Sequence, residues 1–343
     1  MEWKILALNE VKANNNTFRI DAEFFKKEYL KALKLIKKSN FEFLDAITDW
    51  ITQGPNPIFC ETGIPCLTGR NINKGEVTYN SSDYVDQGEY ERLKGYQIKK
   101  GDTLITLKGK GSIGKIGYVF RNKKAIFSRN IGIIRPNKIN PAYLNIFIQC
   151  KYGKKIIDRG ETGGTGQSTL TTSYLKAITI PRFKLETKIG DLLNEVELLK
   201  QQSNNIYLKA HSLLLSELGL TNWQPKHQLT FVKNYSDTGQ AGRIDAESFQ
   251  PKYEKIVKAI KNYADGWDLL GNRVNLKDKN FNPKDKTKYK YIELANISGN
   301  GEITDCMIED GEDLPSRARR KVATGDVIVS SIGRLIIKHC LDR

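Results

Sequence analysis

The sequence predicts a mixed α/β protein built twice, with a long helix between the copies. Three observations predict it. Residues 18–37 (FRIDAEFFKKEYLKALKLIK) return at 242–261 as GRIDAESFQPKYEKIVKAIK, a shift of about 224 residues. The segment behind the first of these reads as short strands and turns without the regular strand–helix alternation of a parallel doubly wound sheet. A heptad pattern then runs from Leu185 to Leu213, with Ser203 and Ala210 as its weak points.

The repeat is collinear beyond its opening. Asn71-Ile72 and Gly75-Glu76-Val77 return as Asn296-Ile297 and Gly301-Glu302-Ile303. Gly101-Asp102-Thr103-Leu104-Ile105 returns as Gly325-Asp326-Val327-Ile328-Val329, with Gly109 opposite Gly333. A period this long marks two domains of one type rather than a solenoid. The expected division is residues 1–181 for the first domain, 182–220 for the helix, 221–242 for a linker and 243–343 for the second domain. The second copy stops at Arg343, short of what the shift requires, and is expected to be incomplete, either as a fragment or as a naturally short product.

Each copy opens on a helix. Asp21 is placed to cap it, with Glu23 in its first turn. Phe25, Tyr29, Leu33 and Ile36 share one face, as do Phe249, Tyr253, Val257 and Ile260 in the second copy. Arg19 is expected to pair with a nearby carboxylate. Strands are expected at 64–67, 103–107, 117–120 and 126–135. A helix is expected over 141–157, and a strand over 174–180 that ends at Pro181. The long helix carries Leu185, Ile189, Leu192, Val196, Leu199, Ser203, Ile206, Ala210 and Leu213 in steps of four and three. At 1.5 Å per residue it is roughly 50 Å long, and Gly219 supplies its stop. Such a helix calls for a partner, in a coiled coil or else by packing onto its own globular domain.

Composition narrows the function. Lys+Arg number 55 against 39 Asp+Glu, a formal net charge of +16, which suits a polyanion and above all nucleic acid. The five cysteines contain no CxxC and the three histidines are scattered, so neither a zinc site nor a disulfide framework is expected. No segment has the length and apolarity of a membrane span, and the first residues lack the pattern of a signal peptide. A cytoplasmic protein with no cofactor is expected.

Several motifs resemble chemical sites without completing them. Gly109-Lys-Gly-Ser-Ile-Gly114 matches GxGxxG, but a strand follows it where a dinucleotide site needs a helix. A glycine-rich hairpin that brings lysines and backbone amides to phosphates fits better. The run 162–169 (TGGTGQST) lacks the lysine of a phosphate loop. Asn56-Pro57-Ile58-Phe59 lacks the second proline of the amino-methylase tetrad, and no S-adenosylmethionine loop accompanies it. No Pro-Asp dipeptide opens a nuclease site. The candidate DNA contacts are Lys108, Lys110, Ser112, Arg129, Asn130, Gln167, Ser168 and Thr171, with Gln167 suited to adenine edges.

Taken in order, Gly54-Pro-Asn-Pro57, Gly63-Ile-Pro65, Asn71-Ile72, Gly75-Glu76-Val77, Gly101 to Ile105, and Gly166-Gln-Ser168 through Ile180-Pro181 resemble the target recognition domains of the specificity subunits of type I restriction–modification systems. The duplication around a long helix resembles their architecture over essentially the whole chain. The resemblance implies a non-catalytic subunit. Each of its recognition domains would read one half of a split double-stranded DNA target, and its helices would dock methyltransferase subunits and, in the full complex, the restriction subunit. It implies a partner-binding role for Leu185, Ile189, Leu192, Val196, Leu199, Ile206 and Leu213. Similar subunits occur in type IIB-like enzymes, which leaves the system type open. The chain departs from the family in carrying one long helix rather than two, and Pro181-Arg-Phe-Lys replaces a Pro-x-Pro pattern. An unpaired seam could recruit a second copy as a homodimer. The competing readings are a DNA methyltransferase or nuclease with an unrecognised active site, and a non-specific DNA-binding scaffold.

Overall fold

The computed structural model describes residues 7–13, 17, 19–80, 83–109, 111–163, 168–224, 226–297, 301–303 and 306–329. The chain divides into two units, residues 1–202 and 203–343.

The first unit begins with a short helix, α1 (Leu8–Ala13), and a 3₁₀ turn, Ala22–Phe25, that leads into α2 (Lys27–Ile36). Asp21 caps the 3₁₀ turn, accepting from the Phe24 N–H at 3.1 Å, rather than capping α2 itself. Arg19 pairs with that carboxylate at 2.7 and 2.8 Å, and holds the Asp21 carboxyl below its ordinary range. Phe24, not Phe25, is the fully buried aromatic here, because the tighter turn rotates it inward.

The strands follow: β1 (Phe41–Phe43), β2 (Thr48–Gln53), β3 (Ile64–Leu67), β4 (Ile72–Asn73), β5 (Gly75–Val77) and β6 (Tyr84–Val85). After α3 (Gln87–Arg92) come β7 (Thr103–Thr106), β8 (Ile116–Tyr118), β9 (Ile126–Phe127) and β10 (Ile131–Pro136). The continuous strand expected over 126–135 is thus two strands, parted where the Ile131 N–H closes a turn on the Ser128 carbonyl. Helices α4 (Pro141–Gln149), α5 (Lys151–Arg159) and α6 (Thr172–Lys176) precede β11 (Thr179–Pro181) and the long α7 (Glu186–Glu217).

The main sheet has the order β2-β10-β7-β8-β5-β4. β7 pairs antiparallel with both β10 and β8, and only β5 and β8 run parallel within it. A second sheet, β6-β3-β9, and the β1-β11 pair complete the unit. Every residue of β7 is buried, because the sheet is covered on both faces. Ile105 and Leu107 point into a core with α2, α4 and α5 residues, and Leu104 points into one with Leu67, Phe127 and Ile133.

Two expectations fail on local geometry. The helix expected over 141–157 is broken at Cys150, whose ψ of 164° is extended. α5 folds back so closely that a Cβ on Gly153 would lie 2.0 Å from the Phe147 carbonyl oxygen. The corner lets Phe147 and Ile148 of α4 and Ile156 and Ile157 of α5 share one core. The strand expected over 174–180 is α6 followed by β11. Thr171 caps α6, and the Tyr174 hydroxyl donates to the Ile156 carbonyl at 2.5 Å, so the ring is buried from a helix.

α7 ends as its glycine predicts. Gly219 has φ +66°, and the Leu220 N–H reaches back to the Leu215 carbonyl at 2.7 Å. The root of α7 is fixed on the first unit by Arg182, which binds Glu186 at 2.7 Å and also contacts Glu42. Gly190 packs against Asn140, the cap of α4, where a Cβ would lie 2.2 Å from its side-chain oxygen.

In the second unit, helices α8 (Tyr235–Ala241), α9 (Pro251–Lys261) and α10 (Leu270–Arg273) precede the antiparallel pair β12 (Lys288–Tyr291) and β13 (Met307–Asp310). The repeat is visible bond by bond. Arg243 pairs with Asp245 at 2.7 Å as Arg19 does with Asp21, and Asp245 caps a 3₁₀ turn at 246–249. Glu293 and Asn296 form the capping box that Thr68 and Asn71 form in the first copy. Gly101 and Gly325 have φ of +92° and +90°. Among the described residues of this unit only Leu220 and Gln250 are buried, so the α9 face with Val257 and Ile260 stays exposed.

Candidate nucleic-acid interface

The antiparallel order of β2, β10, β7 and β8 brings four loop roots to one end of the main sheet. β7 ends where β10 begins, at Thr106 opposite Ile131. β2 ends there too, with Gln53 opposite Gly132, and β8 begins there, with Ile116 opposite Ile105. The described segments that leave this end are 54–60, 107–109 with 111–115, and 128–130, and residues 162–163 and 168–171 join them after α5.

Backbone hydrogen bonds bind these loops together. The Leu107 N–H donates to Asn130 O at 2.8 Å, and the Leu170 N–H donates to Leu107 O at 2.9 Å. Lys108 bridges to Thr169, which in turn exchanges two bonds with Thr162. The Gln53 side-chain amide donates to Arg129 O at 2.6 Å. Gly54 sits so close to the 128–130 turn that a Cβ would lie 2.3 Å from Ser128 O.

Gly109 and residues 111–114 lie in the turn of the β7–β8 hairpin. Gly109, Gly111 and Gly114 all have positive φ, with values of +127°, +71° and +69°. That is turn geometry and not the start of a helix, so the loop lacks the helix N-terminus that a dinucleotide site uses. The Ser112 hydroxyl donates to Gly109 O at 3.2 Å.

The structure places most of the sequence-derived candidates here. Lys108, Arg129 and Asn130 are exposed, and Ser112 and Ser168 are half-buried. Thr171 is exposed, but its hydroxyl already accepts from the Tyr174 N–H at 3.2 Å, which makes it a helix cap first. Lys110 and Gln167 lie outside the described residues. Two features escaped the sequence reading. Gln53 buttresses the Arg129 turn, and no pattern in a strand marks a glutamine for that role. Ile58 and Phe59 stand exposed on the 54–60 loop, where apolar residues would be assigned to a core by default.

The partner-binding candidates fall on α7. Leu185 lies just ahead of its first residue, and Ile189 packs against the core of the first unit. Leu185, Leu192, Val196, Leu199, Ile206 and Leu213 are between 48% and 66% exposed. A different stripe faces the first unit: Glu186 and Gly190 are buried, Leu193 is half-buried, and Glu197 binds Arg121 at 3.0 Å. Lys200 pairs with Glu76 on the same side. The heptad stripe is therefore left free over most of its length.

Among the described residues there is no cluster of three or more His, Cys, Asp or Glu that could hold a metal ion, and no helix is long and apolar enough to cross a membrane.

Residues 64–210 match the model of the type I restriction modification DNA specificity domain. Over 161 residues the chain is 24% identical to the type I restriction enzyme MjaVIII specificity subunit of Methanocaldococcus jannaschii, a match that takes in 43% of this chain and 37% of that protein. Among solved structures, an HsdS subunit from Thermoanaerobacter tengcongensis matches with 13% identity and a TM-score of 0.32, over 52% of this chain and 45% of its own. The type I restriction–modification S subunit from M. genitalium matches with 15% identity and a TM-score of 0.32, over 57% and 53%.

Proposed function

We propose that the chain is the sequence-reading, non-catalytic subunit of a restriction–modification complex. The loops at one end of the main sheet contact one half of a split double-stranded DNA target. The exposed stripe of α7 docks methyltransferase subunits, with the restriction subunit joining the full complex. Residues 1–181 form one recognition domain, 182–220 the helical spacer, 221–242 a linker, and 243–343 carry the second recognition sequence. Such a complex works in the cytoplasm, where the DNA is.

The observation that carries this reading is the convergence of Lys108, Ser112, Arg129, Asn130 and Ser168 on one loop cluster, inside the stretch that matches the specificity-domain family. Lys108 and Arg129 supply contacts to phosphates, and the polar side chains between them suit base edges.

Selection from a randomised duplex library, with and without a methyltransferase subunit from the same source, tests it. One enriched half-site, or a split motif, supports recognition. Salt-dependent binding with no enriched sequence even with the partner overturns it. Lys108→Ala and Lys110→Ala are each expected to make the salt dependence of binding shallower, by about 0.9 in the log–log slope for each phosphate that is no longer neutralised. The selected target should stay the same. A changed target would remove either residue from the phosphate contacts.

A further inference from the structure

We propose that Ile58 and Phe59, on the 54–60 loop whose root packs against the 128–130 turn, form an apolar prong that contacts DNA bases. The proposal rests on the DNA-reading function above and adds to it a recognition element that the polar candidates do not contain.

Loop 54–60 is built to hold a shape. At its root the Gly54 N–H donates to Ile131 O at 2.9 Å, and Gly54 lies against Ser128 at a distance only glycine permits. At its far end the Cys60 N–H donates to Tyr84 O at 2.9 Å. Pro55 and Pro57 restrict the backbone between these anchors. The Ile58 N–H itself donates to Glu89 Oε1 at 2.9 Å. Glu89 is buried and held by Arg92 through two bonds of 2.6 Å.

On this fixed loop the two large apolar side chains point outward, Ile58 being 72% exposed and Phe59 53%. What sets this pair apart is that its loop is braced at both ends and joined at its root to the turn that presents Arg129 and Asn130. That root, Gly54, packs against the 128–130 turn, so the loop is continuous with the surface argued for DNA. Apolar side chains meet DNA bases in two ways. They pack on the thymine methyl in the major groove, or they wedge into a base step. Both are apolar contacts to bases, and the experiment separates them.

The test repeats the library selection with the full chain and its methyltransferase subunit, comparing the natural sequence with an Ile58→Ala/Phe59→Ala double variant. Both side chains are exposed, so the variant should fold, and an unchanged thermal melt checks this. The expected result is an affinity for the enriched half-site that falls by about tenfold or more, as for one misread base pair. Preference should vanish at one or two adjacent positions, and the salt slope should stay unchanged. Uracil for thymine at those positions then weakens only the natural protein if the methyl is read. 2-Aminopurine at that step brightens only with the natural protein if a wedge forms.

An identical motif and affinity for the double variant overturns the prong while leaving the recognition reading intact. A loss of affinity with neither uracil sensitivity nor 2-aminopurine brightening overturns the base contact. If the natural protein enriches no motif, the recognition reading itself fails and the prong falls with it.

Discussion

Replacing Asp102 by alanine is expected to lower the unfolding free energy by about 3–5 kcal/mol, the cost of leaving one partner of a buried ion pair alone. Asp102 is 1% exposed and accepts from Arg135 at 2.7 and 2.8 Å in a two-pronged contact. It also accepts from the Lys99 N–H at 2.6 Å. Arg135 donates onward to Gln97 O at 3.0 Å and lies over the Trp50 ring. Removing the carboxylate strands a guanidinium between the sheet and that ring and opens the turn into β7. The repeat supplies an internal control. Asp326 occupies the same turn in the second copy and accepts from the Ala323 N–H at 2.8 Å, but its ion-pair partner is Lys277, on a mostly exposed side chain. Asp326→Ala is expected to leave the melting temperature almost unchanged, since exposed pairs contribute little. Urea denaturation of the two variants compares them directly. Equal losses would mean that the turn, and not the buried pair, sets the cost.

That contrast also shows what the sequence made legible. The duplication could be read because RIDAE, the Gly-Asp turns and the Asn caps act through hydrogen bonds to near neighbours, and the same residues make the same bonds in both copies. Burial depends on partners far along the chain, so the repeat did not reveal that one copy would bury Leu33 and Ile36 and the other would leave Val257 and Ile260 exposed. The break at Cys150 was hidden because helical periodicity continues across a corner that returns both helices to one core. Tyr174 was assigned to a strand because a short apolar run does not distinguish strand from helix. Arg129, Asn130 and Lys108 were readable as candidates from charge and turn position. Their gathering at one end of the sheet depends on the antiparallel order of four strands, which no local pattern encodes. The stripe of α7 that meets the first unit, from Glu186 through Gly190 to Glu197, was concealed because it is mostly polar, whereas the apolar stripe that announced the helix faces away.

Leu199→Asp together with Ile206→Asp is therefore expected to abolish assembly through the helix while leaving the first unit folded. The two side chains are 55% and 66% exposed in the isolated chain, so neither supports its core. Burying a leucine or isoleucine in an interface contributes about 1.5–3 kcal/mol, and placing an unpaired carboxylate there adds a penalty. Removing both should weaken association at least a hundredfold, since about 1.4 kcal/mol is tenfold. Co-purification with methyltransferase subunits reads the effect, and light scattering on the isolated chain reads any homodimer. The contrasting variant is Gly190→Val, on the docked stripe. Its side chain would collide with Asn140, displacing the root of α7 and the α4 cap together. Gly190→Val should lower the thermal stability of the first unit, whereas the Leu199/Ile206 pair should lower only partner affinity. If the aspartate pair also destabilised the chain alone, the seam would be part of its own fold. A partner bound as tightly as before would place the docking surface elsewhere on the molecule.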